Sequence, residues 1–330
     1  MQQLTLRGTP PEIGAAHGTL TATLSLQLPP PEPALSDVAI ASEVIARRYV
    51  PDLIAEAQAF ASAAHIPYDT LRYMLLALPL AQNLPSCSVV AVMPERSADG
   101  KLRIGRNYDF SYPISWEGAT TYITFPARGR AHIGNCDIWI GREDGLNSAG
   151  LFVAMSATML PGIQPGLPFW FIVRHLLEHA TSVDEALEWI GAVPHSQSRN
   201  YMLADRERAL VVEATIDGIF VREPEAGVLA MTNHVAHPAL RDRKAFTPDD
   251  TYQRYQCLQS LPTGAVGEDI LEHALNDRQS GVCAHAYIGD QPFGTIWSVI
   301  ACPEDRRFAI AGGTGSNSGV MHYHIHHVPC

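Results

Sequence analysis

Leu84-Pro85-Ser86-Cys87-Ser88-Val89-Val90-Ala91-Val92, followed by Gly105-Arg106-Asn107-Tyr108-Asp109-Phe110, is the stretch around which the chain reads. A small polar cluster opens an apolar run of the kind that forms a buried strand. Asp99-Gly100-Lys101 is a hairpin signal, and the strand after it carries Arg106 and Asp109. A hairpin returns its second strand beside the start of its first, so Cys87 is expected near a guanidinium and a carboxylate. A neighbouring cation favours the thiolate and makes a thiol reactive. The alternative is a buried structural cysteine at a strand start, since free cysteine is among the most buried residue types.

The 330 residues, 46% hydrophobic and 17% charged, provide enough chain for one large core or two smaller ones. A formal charge of −11 argues against nucleic acid and anionic membranes as main partners. Met1 to Pro10 lacks a charged n-region and a long apolar h-region, so no signal peptide is expected, and the longest apolar run, Met74 to Leu80, is too short to cross a membrane. Cys87, Cys136, Cys257, Cys283, Cys302 and Cys330 are scattered without CxxC spacing. They read as reduced thiols in a cytoplasm.

Before Cys87 the pattern is mostly helical. A short strand and a helix start fit residues 4–18. Pro29 to Pro33 is a connector, and Ser36-Asp37 reads as the N-cap of a helix whose apolar stripe continues past Pro51 to Ala61. A further helix is expected over 68–81. After Cys87 the period changes to two. Strands are expected at 87–93, 102–109, 119–125, 131–140 and 150–156, then helices at 168–180 and 182–191. Ser182 and Glu185 form a capping box for the second of these. Strands follow at 199–205, 209–215, 218–222 and 228–232, helices at 251–260 and 267–276, and strands at 295–301, 307–312 and 320–327. Blocks of strands separated by helix pairs predict an α+β fold in layers, not alternating βαβ units.

Ser-Cys-Ser before a strand, with Gly-Arg-Asn-Tyr-Asp-Phe about twenty residues on, resembles the N-terminal-nucleophile (Ntn) hydrolases. Within them the chain is most similar to the acyl-CoA:6-aminopenicillanic acid acyltransferase-like (peptidase C45) family, related to the choloylglycine hydrolases. Three further motifs occur in the family's order: the opening Gly8-Thr9-Pro10-Pro11-Glu12-Ile13-Gly14-Ala15-Ala16-His17-Gly18, the turn Gly145-Leu146-Asn147-Ser148-Ala149-Gly150-Leu151, and Thr232-Asn233-His234. The resemblance implies a four-layer αββα sandwich. It also implies self-cleavage of the Ser86–Cys87 bond, dividing the chain into a mostly helical segment 1–86 and a catalytic core 87–330 within one structural domain. Serine stands where the family commonly has glycine before the cysteine.

Cleavage would give Cys87 a free α-amine, whose pKa near 8 lets it take the thiol proton without a separate histidine. By resemblance Asp109 would hold the α-amine or thiol, Arg106 would sit close to the thiol, and Asn233 would help form the oxyanion hole. Asn147 is a second oxyanion candidate, although asparagine in such a turn commonly serves the backbone geometry. His234 reads as support for its neighbours. Arg254, in Thr251-Tyr252-Gln253-Arg254, is similar to the family's Ser-x-x-Arg helix, whose arginine reaches the site; a solvated helix residue is the other reading. Asn200 is expected to be structural.

No cofactor is called for. His322, His324 and His326 share one strand face, but no carboxylate or cysteine lies beside them in sequence, so no metal site is assigned. Gly312 to Ser316 lacks the lysine and helix of a phosphate loop. Leu160, Ile163, Leu167, Phe169 and Trp170, with Tyr112 and Trp116, form either a hydrophobic acyl pocket or core. The expected function is a cysteine amidohydrolase or acyltransferase that cleaves or forms non-peptide C–N amide bonds. Its partner would be a small-molecule amide or acyl donor, with a homo-oligomer possible. Two alternatives stand beside it: an unprocessed relative that binds without catalysis, and an intact thiol esterase.

Overall fold

The structure is a computed structural model that describes residues 2–23, 30–77, 86–111, 119–158, 160–243, 250–312 and 321–325. Tyr112, Trp116, His326 and the glycine-rich turn after Gly312 lie outside the described residues.

The strands form two sheets. The first has the order β1-β4-β5-β6-β7-β8-β9-β10: β1 (Gln2–Gly8), β4 (Thr120–Pro126), β5 (His132–Cys136), β6 (Asp144–Asn147), β7 (Phe152–Ala157), β8 (Arg199–Ala204), β9 (Ala209–Thr215) and β10 (Gly218–Arg222). It is antiparallel except at its edge, where β1 runs parallel to β4. The second runs β11-β2-β3-β13-β14-β15, with β12 paired to β13: β11 (Val228–Met231), β2 (Ser86–Val92), β3 (Arg103–Ser111), β12 (His285–Ile288), β13 (Gln291–Cys302), β14 (Arg307–Gly312) and β15 (Met321–His324).

Side-chain alternation places the layers. Val89, Ala91 and Ile104 of the second sheet meet Ile133, Leu146, Phe152, Ala154 and Met202 of the first in a central core. Val90, Val92 and Ile300 point the other way, onto Leu258 of α7 (Asp250–Gln259) and Leu271 and Leu275 of α8 (Glu268–Leu275). On the far side, Val153, Met155, Leu203 and Val212 pack under α2 (Pro33–Tyr49), α3 (Pro51–Ala63), α4 (Tyr68–Leu76), α5 (Phe169–His179) and α6 (Val183–Ala192). Three nested cores therefore separate four layers in the order αββα. Central strands buried on both faces account for apolar runs such as Val89–Val92, where each large side chain contributes about 1.5–3 kcal/mol.

The opening glycine motif is a packing device. Thr9 and Glu12 close a capping box on α1 (Pro10–Thr21). A Cβ on Gly14 would lie 2.1 Å from the Glu56 carbonyl oxygen, and one on Gly18 would lie 2.4 Å from that of Phe60. Only glycine allows α1 and α3 to approach so closely.

Several element boundaries differ from expectation. The N-cap of α2 is Glu32, with Pro33 in the first turn, and the Ser36 hydroxyl donates to the Glu32 carbonyl from inside the helix. The strand expected over 131–140 ends at Cys136, and Asp144–Asn147, read as a turn, is strand β6. Strand β12 was not expected; its hairpin lets β13 begin at Gln291. Ser182 accepts the Glu185 N–H, but the returning arm of that cap goes to Thr181, not Ser182.

Candidate active site

The register of β2 on β3 pairs Ser86 with Asp109, Cys87 with Tyr108 and Val89 with Arg106. Cys87 and Arg106 thus share the inward face, while Asp109 points outward. Cys87 is the second residue of β2, Asp109 nears the end of β3, Ser156 and Ala157 end β7, Asn200 is the second residue of β8, and Asn233 follows β11. These positions share one rim of the sandwich.

Around Cys87 the polar groups form a closed clamp. Its backbone N–H donates to Asn233 Oδ1 at 2.8 Å. Arg254, fully buried on α7, donates through Nη1 to the Cys87 carbonyl at 2.7 Å and to Ser88 Oγ at 3.1 Å. Its Nη2 donates to Asn233 Oδ1 at 3.0 Å, and Nε pairs with Asp250 at 2.9 Å. Two donors on one oxygen fix the orientation of the carboxamide. Its Nδ2 donates to Ser156 Oγ and to the Ala157 carbonyl, both at 3.1 Å, tying the second sheet to the first. The Asn233 N–H donates to Thr251 Oγ1 at 2.9 Å.

The buried carboxylates divide the remaining work. Arg106 Nε lies 2.6 Å from Asp144 Oδ2, and Nη1 donates to the Met155 carbonyl at 2.7 Å. Burial opposes the charge on Arg106, but Asp144, together with Cys87, Glu143 and Tyr108, outweighs it and holds the guanidinium charged. Trp297 Nε1 and Asn135 Nδ2 donate to the same Asp144 carboxylate and fix it in place. Asp109 accepts from Thr295 Oγ1 at 2.7 Å, and its second oxygen, Oδ2, is buried without a hydrogen bond. Burial raises its carboxyl to about 7 against the opposing charge of Arg254 and the Thr295 hydroxyl. The Cys87 thiol, fully buried in the uncut chain, is pushed up to about 12 by burial, which the Arg106 charge only partly counters. As it stands, the thiol is not ionised near neutral pH.

The structure thus brings together Cys87, Arg106, Asp109, Asn233 and Arg254. It does not bring Asn147 to them. Both Asn147 amide protons are donated to the carbonyls of Leu177 and Ala180 at the end of α5, and Oδ1 accepts from the N–H groups of Ala149 and Leu151. With its carboxamide used up, Asn147 holds the β6–β7 turn to the helix. Its backbone N–H is also used, donating to Leu151. Asn200 donates to the carbonyls of Thr232 and His234 and so holds the Asn233 segment. His234 lies against the hydroxyls of Thr232 and Thr251 at 3.1 Å, and burial pushes its imidazole down to about 4, which keeps it neutral. Leu167, Phe169 and Trp170 belong to the outer helical core, while Ile163 is exposed. Thr295, Ser156 and Asp144 carry no motif and were not anticipated.

Among the described residues, the one trio with ligand atoms within 4.8 Å is Cys136, Asp137 and Glu143. Burial raises both the Cys136 thiol and the Glu143 carboxyl well above their ordinary values. His322 and His324 are exposed on β15 and join no such group.

The family model described as acyl-coenzyme A:6-aminopenicillanic acid acyl-transferase matches residues 96–317, about two thirds of the chain. The chain belongs to that family. Its fold is that of the Ntn hydrolases. A mutant of the conjugated bile acid hydrolase from Clostridium perfringens superposes with a TM-score of 0.50 at 14% identity, over 72% of this chain and 92% of that one. The Caenorhabditis elegans orthologue of N-acylethanolamine-hydrolyzing acid amidase gives 0.50 at 14% identity, over 66% and 93%. An uncharacterized protein of Archaeoglobus fulgidus is 20% identical over 214 residues, 57% of this chain; the chain spans about a third (36%) of that relative's length. The family is one of hydrolases and acyltransferases that act on amide bonds. Among the described residues, no helix is long and apolar enough to cross a membrane.

Proposed function

We propose that this chain is a cysteine Ntn amidohydrolase or acyltransferase that matures by cutting itself between Ser86 and Cys87, giving chains 1–86 and 87–330. The observation that carries the reading is the clamp on the Cys87 backbone: the nitrogen that cleavage would free already donates to Asn233 Oδ1. The same oxygen would hold the resulting α-amine in place, with Arg254 fixing both Asn233 and the Cys87 carbonyl.

In maturation, Cys87 Sγ attacks the Ser86 carbonyl and its proton passes to the departing Cys87 nitrogen. The product is a thioester with a free α-amine. Water hydrolyses the thioester to a Ser86 carboxylate and the thiol. In turnover, the α-amine takes the thiol proton as Sγ attacks the substrate carbonyl, and it returns that proton to the leaving amine. Water or an acceptor amine then resolves the acyl-thioester. Arg106, held charged by Asp144, favours the thiolate. Asn233 Nδ2 is the oxyanion donor in this scheme. Rotation of the Ser156 hydroxyl away from it frees one N–H for that purpose, which is worth about 10²–10³ in rate.

Intact mass under denaturing conditions tests the reading. Two masses, one starting at Cys87, are expected from the wild type, and one full-length mass from Cys87→Ala. A processed and active Cys87→Ala protein overturns it.

A further inference from the structure

Arg199, the first residue of β8, is 4% exposed, and no carboxylate of the described residues lies within 4.0 Å of it. Its Nε is buried with no hydrogen-bond partner, and Nη1 donates only to the carbonyl of its own neighbour Ser198. The guanidinium stands over the ring of Phe169, 5.1 Å from its centroid. Phe169 opens α5, the helix end that carries partial positive charge, so the setting adds to the cation instead of neutralising it. Glu143 feels the charge of Arg199, but burial and the charge of Asp137 hold its carboxyl well above the usual range. A buried cation is costly unless an anion pairs with it.

The other fully buried arginines have more partners, although Arg106 Nη2 and Arg142 Nε are also buried without a hydrogen bond. Arg106 has Asp144, Arg174 has Glu56 and Glu178, and Arg254 has Asp250. Arg142 lacks a carboxylate, but it is enclosed by the Gly141 carbonyl, Thr124 Oγ1 and the face of Tyr122. Among the described residues, Arg199 has no carboxylate partner; it stands at the rim end of β8, on the helical face with Tyr201 and Leu203. Its cross-strand partner is Ala157, whose carbonyl accepts from Asn233 Nδ2, and Asn233 Oδ1 accepts from Cys87.

We infer that Arg199 binds a carboxylate of the substrate, so that the preferred amide is anionic. This rests on the proposed amide chemistry and narrows it. The carboxylate belongs either to the acyl part or to the amine part of the substrate. Arg199 acts as a specificity residue.

The test compares charged and neutral amides of matched shape. N-phenylacetylglycine against N-phenylacetylglycinamide places the charge on the amine part; glutaric acid monoanilide against its primary amide, H2NCO-(CH2)3-CO-NHPh, places it on the acyl part. For the wild type, kcat/KM is expected to favour the acid of one pair by about 30-fold, within what a hydrogen bond to a charged group is worth. Arg199→Gln should erase most of that ratio, and Arg199→Lys should keep part of it. The pair that shows the effect assigns the carboxylate to its side. Equal loss on acid and neutral amide in Arg199→Gln, or no preference for either acid in the wild type, overturns the inference. If no amide is turned over, the amidase reading fails on its own, and calorimetric titration of the same acids and neutral partners into wild type and Arg199→Gln decides. Binding of an acid but not its partner, lost in the variant, supports the inference; equal or absent binding refutes it. Arg199→Lys guards against a glutamine variant that does not fold.

Discussion

Replacing Arg254 with lysine keeps the charge and removes the fork. The guanidinium reaches the Cys87 carbonyl, Ser88 Oγ, Asn233 Oδ1 and Asp250 from three nitrogens that point in different directions. An ammonium is a single point at the end of a flexible stem and cannot span them. At least two of these contacts are lost, at about 1.5–3 kcal/mol for each hydrogen bond to a charged group, or roughly 3–6 kcal/mol together. In a chain of 330 residues this lowers the thermal midpoint by roughly 4–9 °C. The contacts also fix the Cys87 carbonyl and the oxygen that receives its nitrogen. If half of the loss is felt at the cleavage step, self-cleavage slows by at least about tenfold, since 1.36 kcal/mol is a factor of ten. The assay is a time course of intact mass on freshly purified Arg254→Lys, beside a melting curve of each variant. Cleavage at the wild-type rate with an unchanged midpoint refutes the clamp.

Asn147→Leu should lower stability by about 2–4 kcal/mol, because four bonds to backbone groups disappear; at a temperature where it is folded its turnover should stay within a few-fold of wild type, whereas a 10²-fold loss would make Asn147 an oxyanion donor after all. The Asp109 carboxyl, raised to about 7 by burial, binds its proton more tightly in the folded state, so its contribution to stability is full below its unfolded value near 4 and is lost as pH rises through 7. Subtracting the stability curve of Asp109→Asn from that of Cys87→Ala with native Asp109, both in a Cys87→Ala background, should leave that falling slope; a flat difference would show that Asp109 is already ionised. Arg174→Met leaves Glu56 and Glu178 buried without their cation and should cost about 3–5 kcal/mol, read as a fall in denaturation midpoint. After cleavage the two chains should co-elute in native gel filtration, since β1 completes the first sheet on β4 and Trp170 Nε1 donates to the Leu75 carbonyl; separate elution would contradict that packing.

The hairpin was legible because it is local. Asp99 accepts from the Lys101 N–H in the turn, and alternation alone then places Arg106 on the face of Cys87. Asn233 and Arg254 were found through motifs, because nothing in periodicity says that residues so far along the chain meet Cys87. Strand β6 was misread because of Gly145. A Cβ there would lie 2.4 Å from the Ile133 carbonyl oxygen, so close passage of neighbouring strands demands the residue that otherwise signals a turn. The same turn led to Asn147, whose motif proved to describe how α5 is held. Thr295 lies in a strand that was expected, but its role stayed hidden because nothing in periodicity says that this strand pairs with β3 and sets Thr295 opposite Asp109. Arg199 also left no signal, since an arginine that lacks a partner reads in sequence like one that has it.

The clamp also orders events in time. Asn233, Arg254 and Thr295 lie 146, 167 and 186 residues away in sequence from the groups they grip at or beside the Ser86–Cys87 bond. A ribosome that has delivered only the first 200 residues has supplied Cys87 with none of them. On the proposed self-cleavage, scission waits until nearly the whole polypeptide has emerged and found its place. A truncated or misassembled chain would then lack the means to cut itself, and the proposed cut would certify that folding is complete.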